Sequence, residues 1–136
     1  DKIKVFSVVR NPYDRIISDL FFMKLIKSNS SKEVVFDIIK NKYIDEEAFK
    51  FDNHNTPQYL YVTDSKGELI KDIKIFRTET LNNDNDELNQ FAGINIDIKR
   101  DNVNKDYSKY LNSESISLIN EKYKKDFELF GYKMIT

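Results

Sequence analysis

The sequence contains no cysteine, which excludes a disulfide framework and thiolate metal sites and fits a reducing compartment. Only two of its 136 residues are proline and three are glycine, while 13% are aromatic. This composition favours a folded chain rich in regular elements over a disordered one. No apolar run is long enough to cross a membrane and no signal peptide is visible, so we expect a cytoplasmic protein without a membrane span.

An excess of charge of either sign is also absent, since the formal net charge is −1. A nucleic-acid partner would need a local basic patch, and no long one occurs. The acidic residues between Asp45 and Phe51 have no histidine among them. Carboxylates without a histidine partner are weak evidence for a metal site, so we predict no metal. With no repeat and no linker-like stretch, the chain is predicted to form one domain over residues 1–136.

The most informative stretch is VFSVVRNPYDRIIS, from Val5 to Ser18. Its first five residues are apolar except for Ser7, which predicts a short strand covered on both faces. Asn11 is a good N-cap and Pro12 suits the first turn of a helix, which is predicted to continue through IISDLFFMKLIK. The stretch therefore predicts a strand, a tight polar turn and a helix.

The chemistry of this stretch lies in its turn. A helix N-terminus offers backbone N–H groups and a partial positive charge to an anion, and Arg10 adds a planar fork of donors that suits phosphate. Ser18 shares a helical stripe with Asp14 and Arg15, so its hydroxyl is placed to reach a ligand along the helix. A surface arginine and a solvated serine explain the same residues, so physics alone leaves both interpretations open.

The rest of the chain predicts further helices and strands. Ser30 or Ser31 caps a packing helix with an apolar face from Val34 to Ile39. Two strands are predicted at Tyr59 to Val62 and Lys71 to Phe76, with a turn at Asp64 to Gly67 between them. Two more helices follow, one at Asn82 to Ile94 capped by Asp84 or Asn85, and one at Ser113 to Phe130 capped by Ser113.

The segment VVRNPYDRIIS resembles the 3′-phosphate-binding motif of the sulfotransferase superfamily, whose donor is 3′-phosphoadenosine 5′-phosphosulfate (PAPS). That motif is a hydrophobic strand followed by Arg-Asn/Asp-Pro, an aromatic residue, a variable residue and Arg, with Ser eight positions after the first Arg. The resemblance implies that Arg10 and Ser18 bind the 3′-phosphate, and that Asn11, Tyr13 and Arg15 shape the loop around it.

Two later segments resemble carbohydrate-type sulfotransferases in the expected order. The first contains His54, Pro57-Gln58, Asp64 to Gly67 and Glu79-Thr80-Leu81, and the second is the ending YKKDFELFGY. A looser match places Lys105 near the donor nucleotide. The resemblance implies an α/β, P-loop NTPase-like sulfotransferase fold with a mostly parallel sheet.

The loop that binds the 5′-phosphosulfate end of PAPS in the family has no counterpart here, because no glycine lies in a G-x-x-x-x-G-K-[ST]-type segment. We therefore expect a partial domain that lacks the first βα unit. Such a domain would leave strand edges and apolar faces uncovered, which predicts that a partner chain, a second copy in a homo-oligomer or a rearranged sheet covers them.

The resemblance implies sulfuryl transfer from PAPS to a hydroxyl group, chiefly of a carbohydrate and otherwise of a small molecule, without a metal. His54, the only histidine, is a candidate catalytic base or acceptor-side residue, although a lone loop histidine is often only a surface residue. Two alternatives stay open: a non-catalytic module that binds 3′-phosphonucleotides, and an inactive remnant with a structural or interaction role. The sequence does not decide whether the chain is an enzyme.

Overall fold

The computed structural model describes residues 3–93 and 106–136, without the side chains of residues 82–86. Contacts between Cα atoms divide the chain into two compact units. The first unit comprises Asp1–Arg10 and Gln58–Val103, and the second comprises Asn11–Pro57 and Asn104–Thr136. The single domain over residues 1–136 stays a prediction. Within the described ranges, no helix is long and apolar enough to cross a membrane.

A small parallel sheet forms the centre of the first unit. Strand β1 (Phe6–Val9) pairs with strand β2 (Lys74–Arg77) in a register that sets Phe6 opposite Lys74 and Val9 opposite Arg77. A 3-10 turn, Thr78–Thr80, leads from β2 into helix α3 (Leu81–Ala92). Helix α3 packs on the sheet through Leu88 and Phe91, which contact Phe76. Strands and helices thus combine around a parallel pair, as expected for an α/β protein.

The prediction that β1 is covered on both faces is wrong for the described residues. Val9 is buried, but Phe6 and Val8 are 40% and 41% exposed. The side chains of Phe6 and Val8 project from one face of a sheet that has two strands in the described part of the chain, and the elements packed on that face leave them partly uncovered. An apolar run of this kind indicates a strand but does not reveal how many neighbours cover it.

Two predicted strands are also corrected, since one is absent and the other begins later than predicted. Gln58–Tyr61 is a 3-10 helix, so the strand predicted at 59–62 is absent. Val62, the residue that follows this helix, is buried. The predicted strand at 71–76 begins only at Lys74, because Asp72 has a φ of 64° and interrupts the extended backbone. The turn at 64–67 is present, and an isolated antiparallel bridge joins Thr63 to Leu69 across it.

The second unit is helical. Its elements are α1 (Pro12–Phe22), α2 (Lys32–Ile38), a π-helix (Ile39–Asp45), 3-10 helices at Ala48–Phe51 and Tyr107–Lys109, α4 (Ser113–Lys122) and α5 (Lys124–Phe130). Apolar residues of α1, α2, the π-helix, α4 and α5, with Tyr123 between the last two, form one core, which includes Ile16, Ile17, Leu20, Val35, Ile39, Tyr43, Ile119, Tyr123 and Phe127. Aromatic residues contribute much of its volume.

Side-chain caps explain where most of these helices begin. Asn11 caps α1 as predicted, accepting a hydrogen bond of 3.0 Å from the backbone N–H of Tyr13. Ser31 caps α2 through the N–H of Val34. Helix α4 is capped by Asn112 through the N–H of Ser115, one residue earlier than the predicted Ser113.

Several helices end or start elsewhere than predicted. Helix α1 stops at Phe22 rather than Lys27, because Lys24 adopts a left-handed conformation with φ 60°. The predicted helix 113–130 is two helices that meet at Tyr123, whose φ of −103° and ψ of 19° are not helical. Helix α3 begins at Leu81, so its predicted caps lie inside it. Gly131 ends α5 as predicted, with φ 75°.

Candidate functional site

Arg10 follows β1 directly, at the carboxyl end of the strand. The side-chain amide of Gln58 holds its main chain on both sides: the N–H of Arg10 donates to Oε1 over 2.9 Å, and Nε2 donates to the carbonyl of Arg10 over 2.8 Å. The hydroxyl of Thr78 donates to the carbonyl of Val9 over 3.0 Å. These bonds fix the point from which the guanidinium of Arg10 extends.

Arg77 lies at the same edge of the sheet. It is the last residue of β2 and pairs in register with Val9, the residue before Arg10. Because the carboxyl ends of parallel strands meet at one edge, the first unit presents two arginines there. The strand predicted from the sequence ends at Phe76, and Arg77 is not among the predicted site residues. The signal for Arg77 in the sequence is its place directly after the apolar residue Phe76 of a strand, as Arg10 comes directly after Val9.

Tyr13 anchors the first turn of α1 in the core of the second unit. It is fully buried, and its ring centroid lies 5.0 Å from that of Phe127. Its hydroxyl donates to the side-chain oxygen of Asn120 and accepts from the N–H of Ile135 over 2.8 Å. Burial raises the pKa of Tyr13 above the ordinary value, so the hydroxyl stays protonated at neutral pH. Packing in the core therefore determines the position of Tyr13, the aromatic residue of the motif.

Ser18 lies on the buried side of α1, with 8% of its surface exposed. Its place on the helix, one turn after Asp14, is the one that the sequence predicts. No described contact tests its assignment to the 3′-phosphate, and the same holds for Arg10 and Asn11. These assignments stay predictions.

Arg15 contacts the loop that carries His54. Its Nη2 donates to the carbonyl oxygen of His54 over 3.0 Å. The sequence analysis assigned the two residues to different sides of the reaction and did not predict that they meet. The predicted contribution of Arg15 to the nucleotide loop is not tested by this bond.

His54 also faces a carboxylate of α1. Its Nδ1 lies 3.9 Å from Oδ2 of Asp19, and the two side chains are 35% and 29% exposed. The ring of Phe51 lies 5.5 Å from the imidazole, measured between centroids. His54 is therefore half-buried among an aromatic ring, a cation and an anion rather than projecting into solvent.

The segment Asp52 to Pro57, called the His54 loop below, is tightly bonded to the core. The side-chain amide of Asn55 donates to the carbonyls of Lys42 and Glu46, over 3.1 and 2.9 Å. The buried hydroxyl of Tyr123 donates to the carbonyl of Asn55 over 2.7 Å. The loop enters through Asp52 and its neighbour at position 53, both with positive φ. Asp and Asn tolerate this region best among residues with a side chain.

The π-helix completes the polar surroundings of α1. Lys122 donates to the carbonyl of Tyr43, and its pKa is lowered by burial and by the nearby charge of Arg15. The hydroxyl of Tyr43 is buried and has no hydrogen-bond partner among the described residues. Burial, followed by the charge of Asp19, raises the pKa of Tyr43. The lowered pKa of Lys122 and the raised pKa of Tyr43 both follow from packing polar groups inside a core.

Two further predictions concern Lys105 and a metal site. Lys105 is outside the described residues. In the described ranges, no group of three or more His, Cys, Asp or Glu side chains is arranged to hold a metal ion.

One comparison with known proteins gives a result. The model of the sulfotransferase family matches residues 2–133, which is nearly the whole chain. No curated protein and no solved structure matches the chain. The family match covers β1, the turn at Arg10 and α1, and it also covers the His54 loop and both C-terminal helices.

Proposed function

Because the chain belongs to the sulfotransferase family, we propose that it transfers a sulfuryl group from PAPS to a hydroxyl group of a carbohydrate. Family membership supports sulfuryl transfer in general and implies a sulfuryl donor. The identity of the donor as PAPS and of the acceptor as a carbohydrate rests on the motifs of the sequence. A P-loop NTPase-like arrangement of the sheet is part of the same proposal.

The observation that carries the proposal is the segment from Phe6 to Phe22. It forms a strand, a turn held by Asn11 and a helix with proline in its first turn, which is the local structure that the 3′-phosphate motif requires. Arg10 supplies a guanidinium, and the start of α1 supplies a partial positive charge. This donor set fits a phosphate dianion. In the proposal Arg10 and Ser18 hold the 3′-phosphate, Asn11, Tyr13 and Arg15 shape the turn, and Lys105 supplements the charge.

His54 is the proposed general base. Transfer moves the sulfuryl group to the acceptor oxygen, the acceptor hydroxyl gives its proton to the imidazole, and adenosine 3′,5′-bisphosphate leaves. A histidine works well as a base near neutral pH, and positioning with charge stabilisation supplies the rest of the catalysis. The partial exposure of the imidazole and its fixed loop support this assignment.

Calorimetric titration with adenosine 3′,5′-bisphosphate tests the donor half of the proposal. We expect the wild-type chain to bind and Arg10→Ala to bind about ten- to a hundredfold more weakly, since loss of a charged phosphate contact costs about 1.5–3 kcal/mol. Lys66→Ala is the matched control, because Lys66 is an exposed cation in the turn at 64–67 of the same unit. Its affinity should equal that of the wild type.

Transfer of labelled sulfate from PAPS to a panel of glycans tests the acceptor half. Label in one glycan class, lost in His54→Gln with binding of the bisphosphate unchanged, would support His54 as the base. A folded wild-type chain that binds no bisphosphate, or one in which the Arg10 and Lys66 variants bind equally, would overturn the donor assignment. Binding without transfer would favour a non-catalytic nucleotide-binding module.

A further inference from the structure

We propose that Asp19 is a positioning residue for His54, which holds the neutral imidazole with its proton on Nδ1 and so keeps Nε2 as the proton acceptor. This inference deepens the proposed function and rests on it for its catalytic consequence. Its structural part concerns the ring itself and stands on contacts within the second unit.

Helix α1 holds His54 at two points. Arg15 and Asp19 are four residues apart and therefore project from the same face of the helix. The guanidinium of Arg15 bonds the main-chain carbonyl of His54 over 3.0 Å, and the carboxylate of Asp19 lies 3.9 Å from Nδ1. A cation thus fixes the backbone of the residue, and an anion faces one chosen nitrogen of its ring.

The surroundings restrict movement of the ring away from Asp19. Phe51 packs beside the imidazole, and the N–H of His54 donates to the carbonyl of Phe51 over 2.9 Å. The bonds of Asn55 to the π-helix and to Tyr123 hold the next residue of the loop. A base whose rotamer is fixed by its neighbours loses less entropy when a substrate arrives.

The carboxylate determines which nitrogen carries the proton. In a neutral imidazole one nitrogen is a donor and the other an acceptor, and an anion close to Nδ1 stabilises the form with hydrogen there. The separation of 3.9 Å exceeds a hydrogen bond, so in the chain without substrate the carboxylate acts on the Nδ1–H group through its charge. Arg15 and Lys122 are cations that donate to main-chain carbonyls, those of His54 and Tyr43, and neither of them can accept the Nδ1 proton.

The test measures the tautomer directly. His54 is the only histidine, so ¹⁵N NMR of the full chain gives one pair of ring nitrogens without ambiguity. With the ring neutral, we expect the Nδ1–H form to predominate in the wild type, the Nε2–H form to increase severalfold in Asp19→Asn, and Asp19→Glu to restore the wild-type ratio. Asp37→Asn, which changes an exposed carboxylate of α2, is the matched control and should leave the ratio unchanged.

The catalytic consequence is measured separately. Asp19→Asn should lower kcat for sulfate transfer about tenfold with KM for PAPS unchanged, which is less than the roughly 10²- to 10⁴-fold that general-base catalysis contributes as a whole, because the base itself is still present. An identical tautomer ratio in the wild type and Asp19→Asn would overturn the inference. A changed ratio with unchanged kcat would overturn its catalytic part. A wild-type chain that transfers no sulfate refutes the proposed function instead, and the NMR ratio then still decides whether Asp19 orients the ring.

Discussion

Tyr123 and Tyr43 form a matched pair for measuring how much the hydrogen bond between Tyr123 and the His54 loop contributes to the free energy of unfolding. Both are buried tyrosines of the same core, with 1% and 0% exposure. The hydroxyl of Tyr123 donates to the carbonyl of Asn55 over 2.7 Å, whereas that of Tyr43 has no partner among the described residues. Replacement by phenylalanine removes one oxygen and leaves the ring in place in each case.

We expect opposite results from the two substitutions. Tyr123→Phe leaves a buried carbonyl without its donor, which costs about 1–3 kcal/mol. For a chain of this length that corresponds to a fall in Tm of about 3–15 °C. On folding, the buried hydroxyl of Tyr43 gives up its hydrogen bonds to water and forms none with the described residues. Tyr43→Phe removes this hydroxyl, so the free energy of unfolding should stay the same or rise by about 1 kcal/mol.

Urea denaturation followed by circular dichroism gives both values, provided that the m-value is unchanged and the midpoints alone shift. The reasoning would be refuted if Tyr43→Phe lowered stability as much as Tyr123→Phe. That result would mean that a partner such as a buried water satisfies Tyr43. A Tyr123→Phe variant as stable as the wild type would refute the contribution of the bond to Asn55.

Three further outcomes are expected. Asn11→Ala should lower the free energy of unfolding by about 1 kcal/mol through loss of the α1 cap, and Ser117→Ala on the exposed side of α4 should not, as urea midpoints will show. Gly131→Ala should cost about 1 kcal/mol in the same assay, because the glycine has φ 75°. Burial raises the pKa of both Tyr43 and Tyr123, so the folded chain keeps protons that unfolded tyrosines release above about pH 10. Stability should therefore fall as the pH rises above about 10, and Tyr43→Phe should make that fall shallower.

Local signals in the sequence predicted the parts of the fold that depend on neighbouring residues. The N-cap at Asn11 and the helix end at Gly131 are confirmed because each follows from the backbone preference of a single residue. The strand before Arg10 is confirmed in position, and the α/β class with a parallel pair follows from the motif. The resemblance to sulfotransferases is confirmed by the family match.

Features that depend on distant residues were not predictable in the same way. The exposure of Phe6 and Val8 depends on which elements pack against that face of the sheet, which no local pattern encodes. The contact between Arg15 and His54 joins residues 39 positions apart in sequence, so neither residue type nor spacing reveals it. The break at Tyr123 likewise lies inside an apolar stripe that continues through both helices, so the local pattern does not reveal it.

The π-helix at Ile39–Asp45 contains one residue more than an α-helical path between the same points would need. A π-helix closes its hydrogen bonds over one more residue than an α-helix, so deletion of one residue would let the segment return to α-helical bonding. Ile39 and Tyr43, which are both buried, would then be three residues apart, and residues at that spacing still share one face of an α-helix. The carbonyls that Asn55 and Lys122 bond lie in the same segment and would shift with it. We expect the fold to tolerate deletion of one residue between Ile39 and Tyr43 better than insertion of one residue at the same place.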